Sequence, residues 1–504
     1  MSLFATKSIE QIKAEQLGSG EHSLKRVLGP WNLLFLGVGA VIGTGIFVLT
    51  GQVAAANSGP AVVISMIIAG CASGLAGLCY AEFASAVPVA GSAYIYAYAT
   101  LGEFIAWIIG WDLILEYALG AATVAVGWSG NLSALLAEFG LQFPAALSAA
   151  PGTLVPLAGG GTVTAVFNLP AVLIALAITV VLIVGIQESA TLNSIIVVIK
   201  VAVVLLIAAG GALFVDPANW HPFVPPNEGT FGAYGWSGVF RGAAVVFFAY
   251  IGFDAVSTSA QEARDPQRDM PRGILGSLAL CTVLYVIVCT VMVGLVPYKA
   301  LLNQPAPMVV ALDAGAARAA GTAWAGMLHG LRLLVVLGTL AGLSSVMLVM
   351  MLAQPRIFFA MANDGLLPGW ARAIHPRYRT PHVTTFVTGV VVSLAAGFTG
   401  IATLGSLVSI GTLMAFVIVS IAIIFLRRSR PDLERPFTVP FVPALPIASA
   451  IVSLVLMASL PWATWERLII WMAIGIVIYF TYGRKNSKLR SKLQDGRIAG
   501  LQEV

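Results

Sequence analysis

A single basic residue lies in the middle of an otherwise apolar stretch of the sequence. Lys200 is preceded by Val197–Ile199 and followed by Val201–Val204. A lone ammonium deep in an apolar layer costs roughly 3 kcal/mol or more unless it finds acceptors or sheds its proton. Desolvation favours the neutral amine, so this lysine is a candidate proton carrier. The alternative is a permanently charged strut, and proton transfer is the preferred interpretation.

Acidic residues interrupt two other apolar stretches. Asp112 and Glu116 are four positions apart and would share one face of a helix. Glu116 is the candidate for attracting a cationic group or holding water, whereas Asp112 is expected to be a structural hydrogen-bond acceptor. Asp254 follows Phe253 in the second stretch. It is predicted either to bond nearby backbone or to reach a ligand through water.

The elements that carry these residues are apolar segments of membrane-spanning length. The chain has 504 residues, of which 59% are hydrophobic and 10% charged, and its mean hydropathy is +0.92. This composition excludes an ordinary soluble domain and predicts an all-α polytopic membrane protein. The net charge of +5 does not indicate nucleic-acid binding, because the basic residues flank the apolar segments. Twelve transmembrane helices are predicted from apolar runs at 31–56, 60–86, 103–130, 166–185, 191–215, 236–260, 273–297, 328–354, 382–400, 404–426, 442–463 and 466–483.

The distribution of basic residues predicts the orientation of the chain. Most of the 27 lysines and arginines lie in the N-terminal tail, after the sixth, eighth and tenth runs, and in the C-terminal tail. Cytoplasmic loops of membrane proteins carry an excess of these residues. Both termini are therefore predicted to be cytoplasmic, with tails at 1–30 and 484–504.

Glycines interrupt the first apolar run near its middle, in the stretch Ile42–Ile46 with the sequence IGTGI. Glycine opposes helix formation by roughly 1 kcal/mol relative to alanine, and two glycines around a β-branched threonine favour an unwound turn. Within a membrane such a turn exposes backbone polar groups, which is tolerated only in packed protein or beside a polar cavity. A close-packing motif between helices is the alternative explanation.

The sixth run is interrupted in the same way. It reads FFAYIGFDAVS over Phe247–Ser257, with Gly252 and Asp254 in its middle. Glycine-interrupted segments in corresponding positions of two halves are the best sequence indication of a site built on an inverted repeat. The sequence therefore predicts that the first and sixth helices are broken and that their broken ends form one binding site.

Several stretches of the chain match a known family pattern when they are taken together. They are VGAVIGTGIF at 38–47, EF at 82–83, PVAGSAY at 88–94, GWDLILEY at 110–117, FAYIGFD at 248–254, PR at 355–356 and MANDG at 361–365. With these stretches the chain resembles the amino acid–polyamine–organocation transporters, and most closely the bacterial relatives of the cationic amino acid transporters. The resemblance covers nearly the whole chain.

The resemblance implies a fold of five-plus-five helices in an inverted repeat, with discontinuous helices 1 and 6 and two further helices at the C-terminus. On this chain the first repeat is expected at 31–215 and the second at 236–426. Helices 11 and 12 are expected at 442–483.

The resemblance also implies roles at the two breaks. The positive end of the half-helix after Gly43 suits a carboxylate, and the carbonyls that end the other half-helices suit an ammonium. An α-amino acid presents both groups. Phe248 is also a possible aromatic gate, with ordinary packing as the alternative. The residues expected to bind substrate are Val41, Ile42, Gly43, Thr44, Gly45, Glu116, Phe248, Ala249, Ile251 and Asp254.

Lys200 is the residue expected to couple transport to protons. In sodium-driven relatives a cation bridges the first and eighth helices, and the resemblance implies that the Lys200 ammonium replaces this cation. The ammonium is expected to contact carbonyls near Gly43 and the hydroxyl groups of Ser344 or Ser345.

The resemblance implies a secondary active transporter that imports amino acids across the inner (plasma) membrane by proton symport. Neutral amino acids are the preferred substrates, and the sequence leaves arginine and lysine open. Two alternatives are an exchanger of amino acids for amines and a receptor or scaffold that binds without transport. A channel fits broken helices less well than a closed central site.

Other classes of chemistry have no support in the sequence. The chain has no Walker loop, no nucleophile–base motif and no metal-ligand spacing among its four cysteines. No enzyme activity, metal or cofactor is therefore expected. The expected partners are an amino acid, a proton and the lipid bilayer, and the sequence leaves a small accessory subunit open.

Overall fold

The computed structural model describes residues 3–8, 11–12, 28–87, 92–157, 161–185, 190–257 and 259–494. The N-terminal tail predicted at 1–30 is therefore described only in part. The residues 88–91 of one family motif, and the end of the C-terminal tail from 495 onwards, lie outside the described residues.

Helices make up most of the described chain, as the composition predicts. Two short antiparallel strands, β1 (Leu154–Pro156) and β2 (Thr162–Thr164), form a hairpin in which Val155 is opposite Val163. The α-helices are α1 (Pro30–Val41), α2 (Thr50–Val53), α3 (Val62–Ala86), α4 (Ser92–Thr100), α5 (Glu103–Glu138), α6 (Leu169–Val184), α7 (Ala190–Ala212), α8 (Gly235–Val246), α9 (Phe253–Ser257), α10 (Pro266–Leu295), α11 (Pro307–Arg318), α12 (Ala323–Asn363), α13 (His382–Phe398), α14 (Ile401–Ser429), α15 (Ala444–Ser459), α16 (Trp462–Ile478), α17 (Arg484–Asn486) and α18 (Lys488–Gln494).

Eight helical segments of the described residues are long and apolar enough to cross a membrane. One of them, Pro30–Ala86, contains the first two predicted runs, and the shorter apolar helices α6, α13 and α15 match three further runs. Each predicted run therefore corresponds to helix. The all-α polytopic class is confirmed, whereas twelve crossings and the inverted repeat remain predictions.

The two longest helices, α5 and α12, pack against each other in the centre of the molecule, and α1 packs against α7 and α10. Large apolar side chains on the outer helices are exposed, among them Leu173, Val180 and Ile469. An exposed apolar surface of this kind is expected on helices that face lipid rather than water. The polar side chains that matter for function are therefore expected between the inner helices.

The first predicted break is present. Helix α1 ends at Val41, and Ile42 adopts an extended conformation with φ −72° and ψ 98°. A short π-helical turn, Gly45–Leu49, then starts the second half of the segment and leads into α2. The glycine-flanked threonine thus lies where the helix is interrupted, as the low helix propensity of glycine predicts.

The sixth apolar run is broken in a similar way. Helix α8 continues into a tight 3₁₀ turn, Phe247–Tyr250, and Ile251 is extended with φ −66° and ψ 140°. Gly252 has φ +116°, a conformation that only glycine adopts without strain, and α9 starts directly after it. The discontinuous first and sixth segments are therefore a property of the fold.

Described segments near each end of the chain, around Ala5 and around Arg490, contact the same end of α5. The carbonyl of Ala5 accepts a hydrogen bond from the N–H of Glu103 at 3.0 Å, so the N-terminal segment caps this helix. From the other terminus, Arg490 donates to Glu103 at 2.8 Å, and Ser487 also donates to this carboxylate. The Glu103 side chain is fully buried, so its charge is matched by a cation from the C-terminal segment.

Candidate functional site

The two broken segments lie against each other at their breaks. A Cβ atom built at Gly45 would overlap the Cα of Ala249, so glycine permits the first segment to touch the backbone of the sixth. The reverse contact involves Gly252, whose Cβ would lie 2.9 Å from the carbonyl of Ala40. The exposed backbone ends of two distant segments are therefore brought to one place inside the protein.

Backbone carbonyls converge at this place. The breaks remove the N–H groups that would otherwise bond the carbonyls of Val41 and Ala249 within continuous helices. The hydroxyl group of Tyr285, on α10, lies 2.8 Å from the carbonyl oxygen of Val41 and 3.0 Å from that of Ala249. Because a hydroxyl group has only one proton to share between the two carbonyl oxygens, these oxygens can accept a further hydrogen bond.

The opposite face of the first break presents donors. The N–H groups at the start of the helical segment after Gly43 have no partner within that helix until Phe47, which donates to the carbonyl of Gly43 at 3.3 Å. Thr44 contributes a fully buried hydroxyl oxygen that has no hydrogen-bond partner. Its methyl group packs close to Gly127 of α5. An anionic group fits here, because free N–H groups and the helix dipole both favour negative charge.

Lys200 points from α7 to the first broken segment. Its Nζ donates to the carbonyl of Gly39 at 2.6 Å, and the side chain is fully buried. The aliphatic part packs on Gly342 of α12, where a Cβ would lie 2.9 Å from Cε of the lysine. The lysine thus spans the gap between α1 and α12 close to the first break.

The predicted hydroxyl contacts of Lys200 need correction. The Ser345 hydroxyl is buried and forms no hydrogen bond, and the Ser344 hydroxyl donates to Leu340 one turn earlier in α12. Serine hydroxyls in helices commonly bond the carbonyl four residues earlier, and this local bond needs no help from tertiary structure. The other predicted contact, to a carbonyl near Gly43, is formed: Lys200 donates to the carbonyl of Gly39, which the helix break frees.

Asp254 closes the second break. Its Oδ1 accepts from the N–H of Gly252 at 3.2 Å and its Oδ2 accepts from the hydroxyl of Tyr117 at 2.7 Å. The carboxyl group thereby fixes the extended turn to α5. Of the two roles predicted for this acid, the bond to nearby backbone is formed.

Glu116 lies on α5 and is buried, with Oε1 lacking a hydrogen-bond partner. Asp254 and Asp112 both exert an electrostatic influence on it. Asp112 was expected to be a structural hydrogen-bond acceptor, and this expectation is wrong. Both of its carboxylate oxygens are buried and accept no hydrogen bond. These acids form a buried group that extends along α5 from the second break.

Most of the residues predicted to bind substrate are part of the two breaks or adjoin them. Ile42 and Ile251 are the extended residues, and Phe248 is almost completely buried beside Ala249. The roles of Tyr285 and Tyr117 were not predicted from the sequence. Both hydroxyl contacts join segments far apart in the chain, so the only available indication was that a buried tyrosine hydroxyl needs a partner.

The two breaks bring acceptors, donors and one buried amine close together, and this combination suits binding of a zwitterion. The family model described as "Amino acid permease" matches residues 28–479. The chain belongs to the amino acid permease family. This permease is therefore a multi-pass membrane transporter and not an enzyme, in agreement with the sequence analysis.

Several curated relatives resemble the permease over almost its whole length. The methylthioribose transporter of Bacillus subtilis (strain 168) is 47% identical over 97% of this chain and 99% of its own. The branched-chain amino acid permease BcaP of the same organism gives the same identity and coverage. The vacuolar cationic amino acid transporter 4 of Arabidopsis thaliana is 38% identical over 86% of the permease and 68% of its own length.

Proposed function

We propose that the permease imports neutral L-amino acids into the cell by proton symport. The observation that carries this proposal is the convergence of the Val41 and Ala249 carbonyls on one hydroxyl group, beside the free N–H groups that follow Gly43. An α-amino acid has the complementary pair of charges at a fixed short separation. The site is proposed to lie in an inner membrane, with both termini in the cytoplasm.

In this proposal the substrate carboxylate binds at Thr44 and Gly45, where backbone donors and the helix dipole favour an anion. The ammonium binds the carbonyls of Val41 and Ala249, sharing them with the hydroxyl of Tyr285 or replacing it. The carbonyls of Phe248 and Ile251 are proposed as further acceptors. Because backbone groups recognise the α-amino and α-carboxyl groups, which all amino acids share, selectivity depends on how the protein accommodates the substrate side chain.

Proton coupling is assigned to Lys200. The charged amine donates to the carbonyl of Gly39 and so stabilises the end of α1 next to the break. Loss of the proton would remove the charge and weaken this contact, because a hydrogen bond from a charged donor is roughly twice as strong as a neutral one. Protonation of one side chain would thereby favour one arrangement of the first broken segment.

The preference for neutral substrates rests on charge. Asp254 already accepts hydrogen bonds from Gly252 and Tyr117, so Glu116 is the acid with an oxygen available for a cationic side chain. One relative that is 47% identical is named a branched-chain amino acid permease, which supports an apolar side-chain pocket. Cationic amino acids are proposed as weaker substrates, because another relative is named a cationic amino acid transporter.

A second candidate substrate is methylthioribose, since an equally similar relative is named as its transporter. This sugar derivative has neither a carboxylate nor an ammonium and would leave the free N–H groups after Gly43 without an anion. A thermal-shift screen of the purified permease against all twenty amino acids and methylthioribose separates the two. A shift with methylthioribose alone would overturn the amino acid proposal.

Transport is tested in proteoliposomes with a radiolabelled amino acid chosen from the screen. An inwardly directed proton gradient should drive accumulation of the labelled amino acid inside the vesicles, and a proton ionophore should abolish this accumulation. Exchange that runs equally well without a gradient, and no accumulation with one, would indicate an exchanger of amino acids for amines. Binding with no flux under any condition would indicate a receptor or scaffold.

A further inference from the structure

Asp112 is fully buried on α5, one helical turn before Glu116, and neither carboxylate oxygen has a hydrogen-bond partner. Gly411 of α14 makes room for the carboxyl group, since a Cβ atom there would lie 2.8 Å from Oδ1. A carboxylate ion buried in this way loses its hydration without compensation, which is energetically unfavourable. A carboxyl group that keeps its proton avoids most of this cost.

Two other acids of the same protein show how structural burial is achieved. Glu82 is fully buried and binds the guanidinium of Arg427 through both oxygens, at 2.9 and 2.6 Å. Glu103 is also fully buried and binds Arg490. In the part of the chain that the structure describes, Asp112 is the acid with both oxygens buried and unpartnered. Its environment therefore differs from that of an acid held in an ion pair.

Among the described residues, the ionisable groups that interact with Asp112 carry no positive charge. Glu116 faces it from the same helix, and Tyr80 approaches from α3. Asp254, on α9, also interacts electrostatically with Glu116. Arg427, near the end of α14, is paired with Glu82. A cluster made of acids and a phenol raises the cost of a second or third negative charge, so a retained proton is favoured further.

We propose that Asp112 is a second protonation site of the transport cycle, separate from Lys200. It holds a proton in this conformation and releases it when the half of the protein nearer to Glu103 opens to solvent. In the release step the carboxyl O–H bond breaks and the proton passes to water. The hydrated carboxylate takes up a proton from water before the site closes over substrate again. This inference rests on the proposed symport, because it names where a transported proton leaves.

The test is the pH dependence of amino acid exchange in proteoliposomes with the same pH on both sides. Closure of the wild-type site over substrate requires a protonated Asp112. The exchange rate should therefore decrease on going from acidic to alkaline buffer. Above the titration point the fall should approach about tenfold per pH unit, as for a single proton. Asp112→Asn carries a permanently neutral amide, so its exchange rate should not show this decrease with rising pH. Thr388→Val, which changes another buried hydroxyl without a partner, should keep the wild-type profile.

Two results would overturn the inference: a wild-type exchange rate that does not vary with pH, or an Asp112→Asn profile equal to the wild-type profile. Failure of gradient-driven accumulation in the wild type would instead overturn the symport proposal, since exchange at equal pH needs no coupling.

If Asp112→Asn does not fold, infrared spectroscopy of the wild type and of Glu116→Gln still decides the question. A carbonyl stretch from a protonated carboxyl group should be present in both proteins at neutral pH. Its absence from the wild type, or its loss in Glu116→Gln, would show that Asp112 does not hold the proton.

Discussion

Lys200 Nζ donates to the carbonyl of Gly39 over 2.6 Å, and this bond exists because α1 is broken three residues later. In a continuous helix the Gly39 carbonyl would accept from the N–H of Gly43. The break at Ile42 frees the carbonyl and gives the buried ammonium an acceptor. The interruption that forms the substrate site thus also provides the acceptor for the proposed proton carrier.

Substitution of Lys200 separates proton transfer from a purely structural role. Lys200→Arg keeps a positive charge that does not leave at accessible pH, whereas Lys200→Met removes the charge. Both variants should lose pH-driven accumulation and fall to the level of empty vesicles, measured as uptake of a radiolabelled amino acid. Binding by thermal shift serves as the control for folding. Accumulation retained in Lys200→Arg would indicate a strut that needs only its charge.

Gly45 and Gly43 form a matched pair for testing the contact between the breaks. Gly45→Ala places a methyl group on the backbone of Ala249, which cannot move away easily, and should lower the free energy of unfolding by about 1–3 kcal/mol. Gly43→Ala would meet a methyl group of Val346 at 3.3 Å, which a shift of a few tenths of an ångström relieves, and should have a smaller effect. Thermal unfolding and substrate affinity are the measurements. Equal effects of the two substitutions would contradict the proposed contact.

Tyr285→Phe removes the hydroxyl group that lies between two backbone carbonyls. Without substrate the carbonyls of Val41 and Ala249 lose this donor, and the variant should be less stable than the wild type by about 1–3 kcal/mol. A bound ammonium would restore a donor, so the increase in melting temperature on adding substrate should be larger in the variant. An increase smaller than that of the wild type would argue against ammonium binding at these carbonyls.

Glu103→Gln tests the ion pair that joins the C-terminal segment to α5. The substitution leaves the Arg490 guanidinium without its counter-charge in a buried position, and removal of one partner from such a pair costs roughly 3–5 kcal/mol. The melting temperature should therefore fall markedly. Glu228→Gln is the control, because its pair with Lys299 is exposed and should leave the melting temperature unchanged. A similar response of the two variants would show that the Glu103 pair contributes little.

The sequence alone determined the helical class, the positions of both breaks and the isolation of Lys200. These features are local. An apolar run in a bilayer can adopt few backbone conformations, and glycine weakens the helix in the segment that contains it. A single lysine among valines can likewise be recognised without any knowledge of its neighbours.

Only the tertiary structure decided which groups meet. Tyr285 and Val41 are 244 positions apart, and their contact depends on the rotation and depth of two helices that are apolar on all sides. Hydrophobic periodicity carries little information about rotation in such helices. For the same reason the sequence assigned Asp112 a hydrogen-bonding role and Ser345 a possible contact with Lys200, whereas packing left both side chains without a hydrogen-bond partner.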